Sequence, residues 1–103
     1  MNENKNSYYN FEQMQQFRDR GVIIPDLSSV RIGQEVVQEN ISAGSKLHPF
    51  VRINGSKTEI HAGANIGQSG PAKLDNSWIG ENAIVGSLGS VTLKDTVVGP
   101  ESI

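Results

Sequence analysis

His48 and His61 are the residues of this 103-residue chain whose chemistry is most versatile, and there is no cysteine to serve as a thiolate. Imidazole gains and loses a proton near neutral pH, so proton transfer is what these two positions offer. Their separation of thirteen residues matches no metal-ligand spacing, and the lack of cysteine excludes a thiolate zinc site and disulfides. No metal site is therefore expected. Glycines such as Gly63, Gly67 and Gly86 do not fall between a strand and a helix, so none reads as a phosphate cradle. Each histidine directly follows an aliphatic residue, Leu47 or Ile60. If the aliphatics point inward, both histidines project outward.

The elements that hold them are set by a repeat. Ile41, Ile60, Ile79 and Val98 stand nineteen residues apart, each opening a similar phrase. Within each period the aliphatic positions continue at 47 and 53, 66 and 72, 85 and 91. A fixed period near twenty predicts a solenoid in which each turn buries its apolar face against the next. Three short strands per turn, each with one large inward residue, describe a triangular prism. Small residues at 45, 58, 64, 77, 83 and 96 stand two before an aliphatic, so alternation turns both members of each pair inward. The polar stretches 54–57, 73–76 and 92–95 read as an enlarged corner. A β-sandwich of regularly spaced strands is the competing fold, but hairpin signals do not account for the period.

The prism leaves two outward columns of note: Glu59, Trp78 and Val97, then Lys46, Asn65 and Ile84. Trp78 beside Val97 is unusual on a solvated strand and predicts a covered face, with Ile84 a further contact residue. The cover is either another subunit or another part of the same chain. At His61 the neighbouring repeats carry Ser42, Gly80 and Gly99, and no acid is read as orienting the ring. Exposed corner side chains are therefore the plain alternative for both histidines.

Residues 1–10 read as a disordered lead-in. Asn10 and Gln13 form a capping-box pair, and Gly21 is a stop, which predicts a capping helix over 11–21 with Phe11 and Met14 on the open end of the prism. The β-helix then occupies 22–103, with an irregular first turn built on Ile24, Val30 and Val36. It breaks off in mid-turn, so the chain is expected to be part of a longer β-helix. The net charge of -2 argues against a nucleic-acid partner, no apolar run approaches the ~18 residues of a membrane span, and no secretory start is seen, which leaves the cytoplasm as the expected compartment.

Ile79-Gly80-Glu81-Asn82-Ala83-Ile84 and Val85-Gly86-Ser87-Leu88-Gly89-Ser90 resemble the hexapeptide repeat of left-handed parallel β-helices. The left hand is implied by that resemblance alone. Asp75-Asn76-Ser77-Trp78-Ile79-Gly80-Glu81-Asn82 and Leu93-Lys94-Asp95-Thr96-Val97-Val98-Gly99-Pro100 are similar to phrases of sugar-nucleotide pyrophosphorylases with a C-terminal β-helix, the bifunctional N-acetylglucosamine-1-phosphate uridyltransferase and acetyltransferase among them. Gly67–Ser77 resembles a stretch of UDP-N-acetylglucosamine pyrophosphorylase-related proteins. The resemblance implies a sugar-nucleotide enzyme of the acyltransferase or nucleotidyltransferase kind. In such acyltransferases a coil-edge histidine is the general base, which points to His61, or to His48, with Asn65 orienting a ring or a carbonyl of the substrate. It implies a homotrimer of prisms, with acetyl-CoA and a sugar phosphate or sugar nucleotide in the clefts of the complete protein. Residues 1–103 lack the glycine-rich nucleotide site and the acetyltransferase loop, so no cofactor and no turnover are expected of them alone. A non-catalytic trimerisation module is the alternative.

Overall fold

A computed structural model describes residues 7–86 and 89–102. The chain forms a parallel β-solenoid of about three turns, closed at its N-terminal end by one helix. Helix α1 spans Phe11–Asp19. The strands are β1 (Arg31–Ile32), β2 (Lys46–Leu47), β3 (Val51–Asn54), β4 (Glu59–Ile60), β5 (Asn65–Ile66), β6 (Ala72–Asp75), β7 (Trp78–Ile79), β8 (Ile84–Val85), β9 (Val91–Lys94) and β10 (Val97–Val98). They stack as three faces: β2-β5-β8 (face 1), β1-β3-β6-β9 (face 2) and β4-β7-β10 (face 3).

Faces 1 and 3 follow the expected period. Leu47, Ile66 and Val85 are in register on face 1, and Ile60, Ile79 and Val98 on face 3, with Ile41 bridged to Ile60. Leu47, Ile60, Ile66 and Ile79 are fully buried. The small partners Ser45, Thr58 and Ser77 are buried too, and each hydroxyl is satisfied: Ser45 donates to the Ser42 carbonyl at 2.6 Å, Thr58 to Asn54 at 2.7 Å and Ser77 to Asp75 at 3.1 Å. The Thr58 hydroxyl also accepts the Ser77 N–H at 3.2 Å, and the Ser77 hydroxyl accepts the Thr96 N–H at 3.3 Å. The hydroxyls thus continue the inter-turn bonding through a corner where the strand ladder is interrupted.

Face 2 departs from the expectation. Ile53 pairs with Leu74, not Ala72, and Ala72 pairs with Val51. The first two rows are therefore twenty-one residues apart, while Ala72 and Val91 are nineteen apart. Two corners change length in opposite senses. Residues 48–50 join β2 to β3 where 67–71 join β5 to β6, and residues 55–58 join β3 to β4 where only 76 and 77 join β6 to β7. The slip cancels within one turn, so the period survives. Two inward rows fit on this longer face, and Leu74 is a buried strand residue, not part of a polar corner. Leu93 takes the same place one turn on.

From Gly44 onward the corners bend through left-handed residues, and the column Gly44, Gly63, Asn82, Glu101 has φ between 59° and 88°. The short corner 48–50 has Phe50 at φ 70°. A bulky residue held there costs about 1–2 kcal/mol relative to a right-handed conformation.

The capping box forms as the sequence predicts: the Gln13 N–H donates to Asn10 Oδ1 at 2.8 Å and the Asn10 N–H to Gln13 Oε1 at 2.9 Å. The cap's apolar contact differs. Met14 and Phe17 are buried against the first turn, while Phe11 is exposed, because a single helical stripe can face the prism. Val22 and Ile32 join the expected Ile24, Val30 and Val36 in the first turn's core.

Residues 7–10 of the expected lead-in are placed by the fold. Tyr8 bridges Gly33 in the antiparallel sense, and Tyr9 donates its N–H to Ile32 at 2.9 Å. This segment covers the outer edge of β1, an edge that would otherwise be open to pairing. The Tyr9 hydroxyl donates to the Val36 carbonyl at 2.6 Å, and its ring meets Phe17 edge-on. Residues 1–6 lie outside the described residues.

Glu35 ties the first turn to the enlarged corner, its Oε2 accepting from the Gly55 N–H at 2.8 Å and the Asn54 amide at 3.3 Å. Burial pushes its pKa up, but the bonds from the Gly55 N–H, its own N–H and the Asn54 amide together outweigh that and hold the carboxyl below its ordinary value. A carboxyl with a depressed folded-state value contributes stability above its unfolded value and loses it as pH falls through the folded one. Thermal melts from neutral pH into the acid range should therefore fall more steeply for the parent than for Glu35→Gln. Parallel curves would show that the bonds add nothing.

Candidate functional site

His61 leaves β4 at the corner between faces 3 and 1, and His48 leaves β2 at the corner between faces 1 and 2. The two histidines sit at different corners, each with its own partner. His61 Nε2 lies 3.2 Å from Glu59 Oε1, and its ring packs on Trp78 with centroids 4.7 Å apart and planes tilted by 50°. His48 Nε2 lies 2.6 Å from Asn65 Oδ1.

The stacking of β5 on β2 brings Asn65 beside His48, the residue after Leu47. One expectation changes here. An acid does orient His61. Glu59 and His61 are two apart along an extended segment, so they project from the same side, and this spacing was the signal available in the sequence.

Both partners accept, since a carboxylate and a side-chain carbonyl have no proton to give. Where Nε2 is the donor in these contacts, a neutral ring keeps the Nδ1 lone pair as its acceptor. A carboxylate on one ring nitrogen and a free lone pair on the other is the arrangement a general base needs. His61 and Glu59 are 35% and 43% exposed, so the contact orients the ring more than it stabilises the fold. Among the described residues no group of three histidines and carboxylates is placed to hold a metal ion.

Trp78 is in register with Glu59 on one side and Val97 on the other, which makes the outward column of face 3 as the sequence implies. Val97 is 73% exposed. Trp78 is half-buried, lying against His61 of the same chain. Ile84 is in register with Asn65 on face 1, so it shares no face with Trp78 and Val97. Two grooves flank face 2, and neither histidine lines them.

No protein-family model matches the chain, and neither a curated protein nor a solved structure is found similar to it. The likeness of its phrases to sugar-nucleotide enzymes therefore rests on those residues alone. No helix among the described residues is long and apolar enough to cross a membrane.

Proposed function

We propose that the chain is the β-helix portion of a cytoplasmic sugar-nucleotide enzyme of the hexapeptide-repeat acyltransferase kind. In this reading it associates through face 3 as a homotrimer, and His61 takes the proton of the acceptor. The observation that carries it is the Glu59–His61 contact beside Trp78: an oriented base with a free Nδ1, next to an apolar surface that a second copy would cover. Glu59 favours the tautomer in which Nδ1 accepts, and it would stabilise the imidazolium formed on proton transfer. Acetyl-CoA would supply the acyl group and a sugar phosphate or sugar nucleotide the acceptor. Nucleotidyl transfer is not part of the proposal for these residues, because residues 1–10, which precede α1, contain no glycine.

Exposed Val97 favours a second reading, a trimerising prism without activity. Sedimentation and calorimetry separate the two. The parent should sediment as a trimer, and Trp78→Glu should be largely monomeric, because it places an unpaired charge at the contact. In the complete protein, acetyl-CoA should give a saturable heat that its Trp78→Glu variant lacks. A trimer without that heat leaves the structural module, and a monomeric parent at high micromolar concentration overturns both readings. Purified 1–103 is expected to turn over neither a sugar phosphate with UTP nor acetyl-CoA with a sugar.

A further inference from the structure

Face 2 carries a feature that the proposed function does not use. The register that pairs Ile32 with Ile53 and Leu74 also stacks Arg31, Arg52 and Lys73 in one outward column, which ends at Thr92. Adjacent strands lie roughly 4.8 Å apart, so three cationic side chains stand in line over about 10 Å. Like charges directly opposite one another destabilise a sheet. Among the described residues none of the three forms a salt bridge, and the internal relief is limited to the Arg31 guanidinium lying 5.8 Å from the centre of the Tyr8 ring.

The column borders a groove of about 590 Å³ that Phe50, Ser28 and Ser29 also line. Phe50 is 67% exposed and has φ 70°, a conformation the short corner requires and that glycine or asparagine would adopt at less cost. Its N–H donates to the Ser29 hydroxyl at 3.3 Å, which ties the corner's main chain to the 26–29 loop. Asp26 also lines the groove, but its carboxylate accepts both the N–H and the hydroxyl of Ser28 and is turned to its own loop.

The geometry points to a binding site for a short anionic oligosaccharide, sulfated or carboxylated. Guanidinium and ammonium groups in line match successive oxyanions, with Arg able to bind them in bidentate fashion. The exposed face of Phe50 suits the apolar face of a sugar ring, and the Ser28 hydroxyl, which donates its own hydrogen to Asp26, keeps its oxygen to accept from a sugar hydroxyl. A long nucleic acid fits less well. The cationic run is only three turns deep, the chain as a whole has net charge -2, and this groove offers a single aromatic platform.

Calorimetry of the whole chain at low salt tests this with four six-unit probes: a sulfated hexasaccharide, a galacturonate hexamer, uncharged maltohexaose and oligothymidylate. At least one anionic sugar should bind saturably and weaken with added salt, its identity telling sulfate from carboxylate, and maltohexaose should not bind. Arg52→Ser should weaken binding by about tenfold or more, the scale of one charge-assisted hydrogen-bond set, and Phe50→Ala should weaken it without changing the salt dependence. Arg52→Ser should melt no lower than the parent, because it removes like-charge neighbours, so a weaker binder is not an unfolded one. The assignment fails if neither anionic sugar binds, if Arg52→Ser binds like the parent, or if oligothymidylate binds as tightly as the sugars.

Discussion

Ile79→Asp should show no cooperative thermal transition. Ile79 is fully buried between Ile60 and Val98, in register with both. The interior around it has no group to pair a charge, since the buried hydroxyls of Ser45, Thr58 and Ser77 already donate to backbone carbonyls. A carboxylate there would have to be protonated or expel the chain, and either loss exceeds the stability of a small domain. Ile79→Ala should fold but lose about 2–5 kcal/mol in denaturant titration, the usual sum of lost burial and residual cavity. Val97→Asp, one turn along on the exposed side of face 3, should stay within about 0.5 kcal/mol of the parent as a monomer. Similar melts for Ile79→Asp and the parent would sink the stacked-column core.

Gly55→Ala should cost about 2–5 kcal/mol, although it adds one methyl group. Gly55 is buried with φ 98°, and a Cβ on it would overlap the Asn76 backbone nitrogen and carboxamide in the next turn. Asn76 has little room to retreat. Its N–H donates to Asn54 at 3.2 Å, and its Oδ1 accepts from Lys57 at 3.1 Å. Gly44→Ala is the matched comparison. It has φ 88°, but the nearest atom to an added Cβ is 3.7 Å away, so only the conformational part of the loss applies. Equal midpoints for the two variants would show that crowding at the 55–58 corner is not the cause.

The solenoid was legible because one apolar residue per strand recurs at a constant interval, and Ile41, Ile60 and Ile79 carry that interval without ambiguity. Face 2 was not, and the reason is physical. A constant period fixes the length of a turn but not how that length is divided among its corners. The lengthening after Asn54 offsets the shortening before Val51, so the nineteen-residue period aligns Ile53 with Ala72 while Leu74 in fact lies over it. The same offset hid the Arg31–Arg52–Lys73 column, whose members are twenty-one apart. The capping box was readable because its bonds are local. Whether Phe11 or Phe17 met the core depended on how the helix sits on the first turn, which no local pattern states. At the candidate site, His61 and Glu59 are separated by a spacing that strand alternation makes meaningful, whereas the His48–Asn65 contact spans a whole turn and needed the register of β2 on β5.

The stacking of each strand on its counterpart one turn away also bears on how fast the chain assembles. Successive strand pairs close segments of nineteen to twenty-one residues, so the entropy of closure is nearly the same at every step. No step waits on a contact between distant ends of the chain. Once one pair of coils has formed, the next adds against an existing edge, and the search resembles the growth of a zipper more than the collapse of a sandwich. The slow event is then the first coil pair, and α1 with the antiparallel segment at residues 7–10 provides a place for it beside the first turn.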